Sequence, residues 1–159
     1  MFRKVLLAAA LQNWDTPNPY ARAAREVAIQ LAKGSSSPLY VLSLYHFSAP
    51  TIEKNPFIGA EVIQETERLI KAEEDIVRTE VEAKLRQFVQ DIEETGVAVV
   101  RLVRSGDPRD EVIRVAEEIR ADVIVIGSHS KRRLFDIGST AQTICKRSRI
   151  TVVLASPAQ

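Results

Sequence analysis

One stretch of the chain decides the fold: residues 104–127 read RSGDPRDEVIRVAEEIRADVIVIG. Asp107 is a preferred helix-capping residue, and Pro108 after it suits the first position of a helix. The run from Val123 to Ile126 is apolar throughout, which is typical of a strand buried on both faces of a parallel sheet. The stretch therefore predicts a helix over 108–120 followed by a buried strand over 122–127.

The same alternation of helical stretches and short apolar runs extends along the whole chain. It predicts strands at 4–10, 38–45, 97–103, 122–127 and 150–155, and helices at 20–33, 61–95, 108–120 and 139–147. Strands that alternate with helices predict an α/β fold, in which a five-stranded parallel sheet carries helices on both faces. Pro50 and Pro56 mark 47–60 as a surface excursion before the long helix 61–95. We expect residues 1–159 to form a single domain.

Apolar residues recur at helical spacing within the predicted helices and indicate which faces meet the sheet. The first helix is expected to end at Gly34, a residue that suits a left-handed cap. The charges of helix 61–95 have two interpretations, a solvated face or a docking surface for a partner. The apolar positions are Ala24, Val27, Ala28 and Leu31 in the first helix, Val62, Leu69, Ile76, Leu85, Phe88 and Ile92 in the second, and Val112, Val115, Ala116 and Ile119 in the third.

Composition excludes several classes of protein. The hydrophobic fraction of 45% and the charged fraction of 27% are ordinary for a soluble protein, and no apolar run approaches the roughly 20 residues of a membrane-spanning helix. The 22 basic and 21 acidic residues argue against a nucleic-acid partner. A single cysteine, Cys145, excludes an internal disulfide framework, and the two histidines leave little for a histidine metal site. We expect a cytoplasmic protein, with the short apolar N-terminus as its first strand rather than a signal peptide.

The turn after the fourth predicted strand is the candidate ligand site. Small residues bound this loop, which leads into a helix, so that several backbone N–H groups converge on one point and form an anion pocket. Basic side chains in the loop and two hydroxyls at the helix start favour a phosphorylated ligand. In the alternative interpretation, Gly127 only ends a strand and Ser139 only caps a helix. The site residues are Ile126, Gly127, Ser128, Ser130, Lys131, Gly138, Ser139 and Thr140.

Three segments resemble the universal stress protein family: RSGDP at 104–108, ADVIVIGSH at 121–129 and ITVVL at 150–154. The likeness covers most of the chain and is specific over residues 104–155. It implies a Rossmann-like, doubly wound domain with strand order 3-2-1-4-5, in a family that has ATP-binding and non-binding members. It also implies a homodimer formed through the C-terminal strand 150–155, and an apolar strand at a sheet edge independently invites such pairing.

The chain departs from the pattern of the nucleotide-binding members, which is glycine, two residues, glycine, nine residues, then glycine and serine or threonine. Ser130 replaces the second glycine, and its Cβ disfavours positive φ. Seven residues instead of nine then precede Gly138, so the loop cannot follow the same path around a triphosphate. The aspartate that usually follows the first strand is absent. Asp15 either replaces it or forms a local turn, and Trp14 either stacks on a base or packs against the sheet.

Two hypotheses for function follow. The first is a regulatory protein of the universal stress class that binds ATP, another adenine nucleotide or another phosphorylated ligand weakly, with Mg²⁺ only if ATP binds. The alternative is a dimeric interaction module that does not bind nucleotide. We do not expect an enzyme beyond slow ATP hydrolysis, because His129 and Asp136 form no nucleophile–base set. Cys145 has two interpretations, a small packing residue or a redox-sensitive thiol.

Overall fold

The computed structural model describes residues 2–12, 18–52, 55–127 and 139–158, apart from the side chain of Ser139. Within them, strands and helices alternate as expected, and most boundaries lie within two residues of the predicted ones. The strands are β1 (Val5–Ala9), β2 (Leu39–Tyr45), β3 (Val99–Ser105), β4 (Val123–Gly127) and β5 (Thr151–Ala155). The helices are α1 (Pro19–Ala32), α2 (Ala60–Glu94), α3 (Pro108–Glu118) and α4 (Ser139–Arg147).

The sheet has the order β3-β2-β1-β4-β5, and all of its pairs are parallel, which confirms the predicted fold. The central strand is β1, where Leu7 lies opposite Val41 of β2 on one side and Val125 of β4 on the other. The chain therefore leaves β1 in one direction for β2 and β3, and later returns to its other side for β4 and β5. Such a reversal of strand order opens a crevice at the carboxyl ends of the strands.

Both faces of the sheet are buried, as the continuous apolar runs predict. Val123 and Val125 of β4 belong to a core cluster that includes residues of α1 and α2. Ile124 and Ile126 point to the other face and belong to a cluster with residues of α3 and α4. Because successive side chains of a strand alternate between faces, a strand that packs on both faces must be apolar at every position.

The predicted helix ends are confirmed at two positions. The Asp107 carboxylate accepts a hydrogen bond from the backbone N–H of Arg109 at 2.9 Å and caps α3, and Gly34 has the left-handed φ of +85° after α1. The expected apolar face of α3 differs at its last position. Ile119 is the C-cap rather than a helical residue and is half-buried, whereas the other three members of that face are buried.

The apolar side chains of α2 are buried against the sheet only in the second half of the helix. Its buried residues begin at Val81, whereas Val62, Leu69 and Ile76 remain 56–60% exposed. At a rise of about 1.5 Å per residue the helix is about 52 Å long, so its first half extends past the sheet. The apolar positions of α2 therefore do not form one continuous packing face. The described residues of the 47–60 excursion are mostly exposed, in agreement with a surface segment.

Two further expectations concern the last helix and strand. Cys145 is exposed on α4, so its interpretation as a packing residue is wrong. β5 lies at one edge of the sheet, with Thr151 exposed and Val152 to Leu154 half-buried. Its outer backbone groups have no strand beside them among the described residues, and pairing with a second copy stays a prediction.

Candidate ligand-binding cleft

A cleft of about 790 Å³ lies at the carboxyl ends of the strands, where the reversal of strand order predicts it. Segments that follow β1, β2 and β3 converge there, and the first turn of α4 lies beside them. The lining is mostly polar, and its principal side chains are Gln12, His46, Glu74, Asp107, Arg109 and Thr140.

Gln12 joins the loops that follow β1 and β2. Its side-chain oxygen accepts a hydrogen bond from the backbone N–H of His46 at 2.6 Å, and its side-chain nitrogen donates to the His46 carbonyl at 2.8 Å. The amide therefore occupies both backbone polar groups of His46. The imidazole itself is exposed, and its Nε2 lies 2.9 Å from the hydroxyl of Ser48.

Helix α2 contributes to the cleft through two polar contacts. The hydroxyl of buried Tyr45, the last residue of β2, donates to Glu74 at 3.1 Å. Lys84 donates from its ammonium group to the backbone carbonyl of Gln12 at 2.7 Å. These contacts hold α2 against the ends of β1 and β2 and place the Glu74 carboxylate in the cleft wall.

An ion pair at the start of α3 forms the opposite part of the lining. The Arg109 guanidinium binds Asp107 through two nitrogens at 2.7 and 3.0 Å. These hydrogen bonds, together with that from the Arg109 backbone N–H, lower the pKa of Asp107 to about 2. Asp107 therefore stays ionised at neutral pH and is no proton donor there. Gly106, just before it, has a φ of +133°, which L side chains rarely adopt.

An apolar pocket of about 340 Å³ adjoins the polar cleft. It lies between the sheet and helices α3 and α4, and it shares Ala10, Leu44, Pro108 and Thr140 with the cleft. Small alanine side chains of β1 leave the space, and branched residues of the helices close it. Its further lining includes Ala8, Ala9, Leu42, Val112, Ala141 and Ile144. The combined site thus offers an apolar compartment beside a polar one.

The structure places some of the site residues predicted from sequence. Ile126 is buried and lines the apolar pocket, Gly127 ends β4 beside it, Ser139 begins α4, and Thr140 lines both compartments. Arg147 donates to Asp110 of α3 at 2.8 Å and so ties the far end of α4 in place. Six loop and turn positions named in the sequence analysis, together with Trp14 and Asp15, lie outside the described residues: Ser128, His129, Ser130, Lys131, Asp136 and Gly138.

Gly127 has a packing role that its position in the loop pattern does not reveal. A Cβ at this residue would lie 2.8 Å from the carbonyl oxygen of Tyr20. The backbone of α1 therefore approaches the end of β4 so closely that only glycine fits without a shift. This contact exists independently of any ligand.

Sequence reasoning did not identify Gln12, Glu74 or Arg109 as cleft residues. Gln12 and His46 are 34 positions apart, and no local pattern signals that their loops meet. Arg109 could have been found from the sequence, because it lies two residues after a helix-capping aspartate that follows a predicted strand. Among the described residues, no group of three or more His, Cys, Asp or Glu side chains is arranged to hold a metal ion.

The sequence profile of the Universal stress protein family matches residues 1–156. The chain belongs to this family. Universal stress protein MJ0577 of Methanocaldococcus jannaschii is 30% identical over 77 residues, which are 47% of this chain and 48% of that protein. MJ0531 of the same organism is 26% identical over 129 residues, which are 80% of this chain and 69% of that protein. The match to MJ0577 thus spans about half of that relative's length.

Solved universal stress protein structures share the fold. The structure of MJ0577 superposes with a TM-score of 0.73 at 19% identity, covering 100% of this chain and 99% of that one. A universal stress protein in complex with cAMP gives 0.61 at 18% identity, covering 99% and 98%. The protein from Archaeoglobus fulgidus in complex with dAMP gives 0.58 at 21% identity, covering 96% of each chain. Within the described residues, no helix of this stress protein has the length and apolar character needed to span a membrane.

Proposed function

We propose that this universal stress protein is a regulatory protein that binds an adenine nucleotide or another phosphorylated ligand in the cleft. The observation that carries the proposal is the junction of two unlike compartments, one apolar and one polar, at the first turn of α4. A nucleotide also joins two unlike parts, an aromatic base and a polar sugar phosphate. Small-molecule pockets typically have a mostly apolar lining, in which a few polar groups fix the orientation of the ligand.

The phosphate would lie at the start of α4. Ser139 and Thr140 are the first residues of this helix, whose early N–H groups lack partners within the helix and carry its positive partial charge. In this proposal, loop residues Gly127, Ser128, Ser130, Lys131 and Gly138 complete the pocket. Two relatives of the same fold are described in complex with cAMP and dAMP, ligands that carry one phosphate each. We propose Mg²⁺ as a companion only if ATP is the ligand.

The protein would act through its partners rather than through turnover. Nucleotide hydrolysis needs a group that orients water and usually carboxylates that hold Mg²⁺. Asp107, a carboxylate of the cleft, is already occupied by Arg109. A cytoplasmic location fits the single cysteine, since disulfide frameworks belong to oxidising compartments.

Thermal unfolding with ATP, AMP or phosphate, each with and without Mg²⁺, tests the proposal. A ligand at 100 times its dissociation constant stabilises the folded state by about 2.7 kcal/mol, which raises the melting temperature by about 5–10 °C for a chain of this length. We expect Gly138→Val, Ser139→Glu and Thr140→Glu to abolish the shift. Gln142→Glu is the matched control, because Gln142 is exposed on the same helix and does not line the cleft. No shift with any ligand, or a full shift in Thr140→Glu, would contradict the proposal.

The second candidate function is a dimeric interaction module without nucleotide, and the outer edge of β5 favours it. An edge strand with an apolar sequence is a template for pairing with another chain. We expect Thr151→Lys to convert a dimer to monomers in size-exclusion chromatography with light scattering. Ser36→Lys, in an exposed loop, is the control. The proposed interface would be contradicted if the wild-type protein is a monomer, or if the Thr151→Lys variant remains a dimer.

A further inference from the structure

A second groove lies on the flank of the domain, between the later turns of α2 and the edge strand β3. Its volume is about 290 Å³, and it shares no lining residue with the cleft. Leu85, Leu102 and Val103 provide its apolar lining, with Leu85 fully buried. Four arginines and one carboxylate form the rest: Arg78, Arg86, Arg101, Arg104 and Glu82.

The arginines are only partly neutralised. Arg78 binds Glu82 at 3.0 Å, and Arg104 lies 4.0 Å from Glu118 of α3. The guanidinium groups of Arg86 and Arg101 make no hydrogen bond or ion pair with any residue that the structure describes. Four positive side chains against one negative leave the groove lining with a net charge of +3.

The position of β3 at the edge of the sheet explains only two of the four arginines in the groove. Charged side chains on an edge strand discourage pairing with another sheet, which explains Arg101 and Arg104 of β3. It does not explain why α2 directs Arg78 and Arg86 toward the same groove. Like charges around one concave surface repel one another unless an anion lies between them.

We propose that this groove is a binding site for a small phosphoryl anion, separate from the cleft. Guanidinium groups match phosphate oxygens with two parallel hydrogen bonds, and their fixed charge survives at every physiological pH. The volume of about 290 Å³ lies just below the range of about 300–1,000 Å³ for small-molecule pockets, which favours a ligand of one or two phosphoryl groups. Arg86 and Arg101 supply the unoccupied donors, and Arg78 adds charge from α2. Arg104 starts from the other face of β3, where it lies near Glu118 of α3, and contributes charge from the sheet edge.

NMR titration with inorganic pyrophosphate at about 0.05 M ionic strength tests the site directly, because exposed charges are weakly screened there. We expect the side-chain resonances of Arg86 and Arg101 to shift with saturation. The double variant Arg86→Gln/Arg101→Gln should weaken this binding at least about tenfold, since it removes charge-assisted hydrogen bonds. Lys146→Gln/Arg149→Gln is the matched control, because it also removes two positive charges. Both side chains are exposed, outside the groove and toward β5, the opposite edge of the sheet, and their loss should leave the affinity unchanged.

Two results of the pyrophosphate titration would contradict a phosphoryl site in this groove. In the first, pyrophosphate shifts only resonances of cleft residues. In the second, it binds the double variant with wild-type affinity. A parallel titration with ADP separates free phosphate from a nucleotide as the source of the phosphoryl group. If ADP and pyrophosphate cause equal shifts at Arg86 and Arg101, the groove recognises the phosphoryl group alone. Shifts with ADP but not with pyrophosphate would contradict the proposal. An unchanged melting temperature of the double variant verifies that folding is intact.

Discussion

The side-chain amide of Gln12 satisfies both the N–H and the carbonyl of His46, at 2.6 and 2.8 Å. It thereby joins the ends of two neighbouring strands at the rim of the cleft. The two residues are 34 positions apart, so this contact closes the first β-α-β unit at its carboxyl end.

Replacing Gln12 with Ala should loosen this rim. Two exposed hydrogen bonds are lost, and at about 0.5–1.5 kcal/mol for each net hydrogen bond we expect a loss of about 1–3 kcal/mol in the free energy of unfolding. Urea unfolding measures the loss, and hydrogen exchange of the His46 amide should accelerate. Gln142→Ala, on an exposed position of α4, should change neither quantity. Equal exchange rates at His46 in wild type and Gln12→Ala would show that the contact does not form in solution.

The two halves of α2 should respond differently to the same substitution. Leu85 is 1% exposed within the core, so Leu85→Ala should cost about 2–5 kcal/mol. Leu69 is 56% exposed on the extending half, and Leu69→Ala should cost less than about 0.5 kcal/mol. Chemical denaturation of the two variants at one protein concentration makes the comparison. A similar loss in both would mean that the first half of α2 is packed against another surface in solution.

A side chain at Gly127 should destabilise the protein without any ligand. The Cβ of Gly127→Ala would meet the Tyr20 carbonyl oxygen at 2.8 Å, and relief of such overpacking typically costs about 1–3 kcal/mol. Gly59→Ala is the control, because no atom lies within 4 Å of its Cβ position and φ is −64°. We expect the control to change stability by less than about 1 kcal/mol in ligand-free thermal unfolding. A ligand-free Gly127→Ala protein as stable as wild type would contradict the packing role.

The Asp107 carboxylate should contribute to stability in a pH-dependent way. Its folded-state pKa of about 2 lies below the ordinary value of 3.8, so its contribution is present above about pH 4 and is lost as the pH falls through 2. Carboxyl NMR shifts between pH 1.5 and 5 should titrate at the lowered value. Because the Arg109 side-chain hydrogen bonds are the main cause, Arg109→Ala should raise this pKa toward 3.8. A titration near 3.8 in the wild type would refute the ion pair.

The fold followed from patterns that are local in the sequence. Val123 to Ile126 indicated a strand buried on two faces, and Asp107 with Pro108 indicated the start of α3. The strand order came from the family resemblance, because alternation alone does not distinguish between orders of a parallel sheet. The candidate site was predicted only in part. The sequence pointed to the end of β4 and the start of α4, whereas the rest of the cleft lining comes from the ends of β2 and β3, the residues after β1, and helices α2 and α3.

By itself, the sequence determined which segments are strands and helices, where α1 and α3 are capped, and that both faces of the sheet are covered. These properties depend on residues a few positions apart, whose spacing matches the period of a helix or strand. Only the tertiary structure decided that Leu69 is exposed while Leu85 is buried, that Gln12 binds His46, and that Arg86 and Arg101 line the same groove. Those relationships depend on where a helix ends relative to the sheet and on which loops meet. Packing of distant segments sets both, and no local period encodes them.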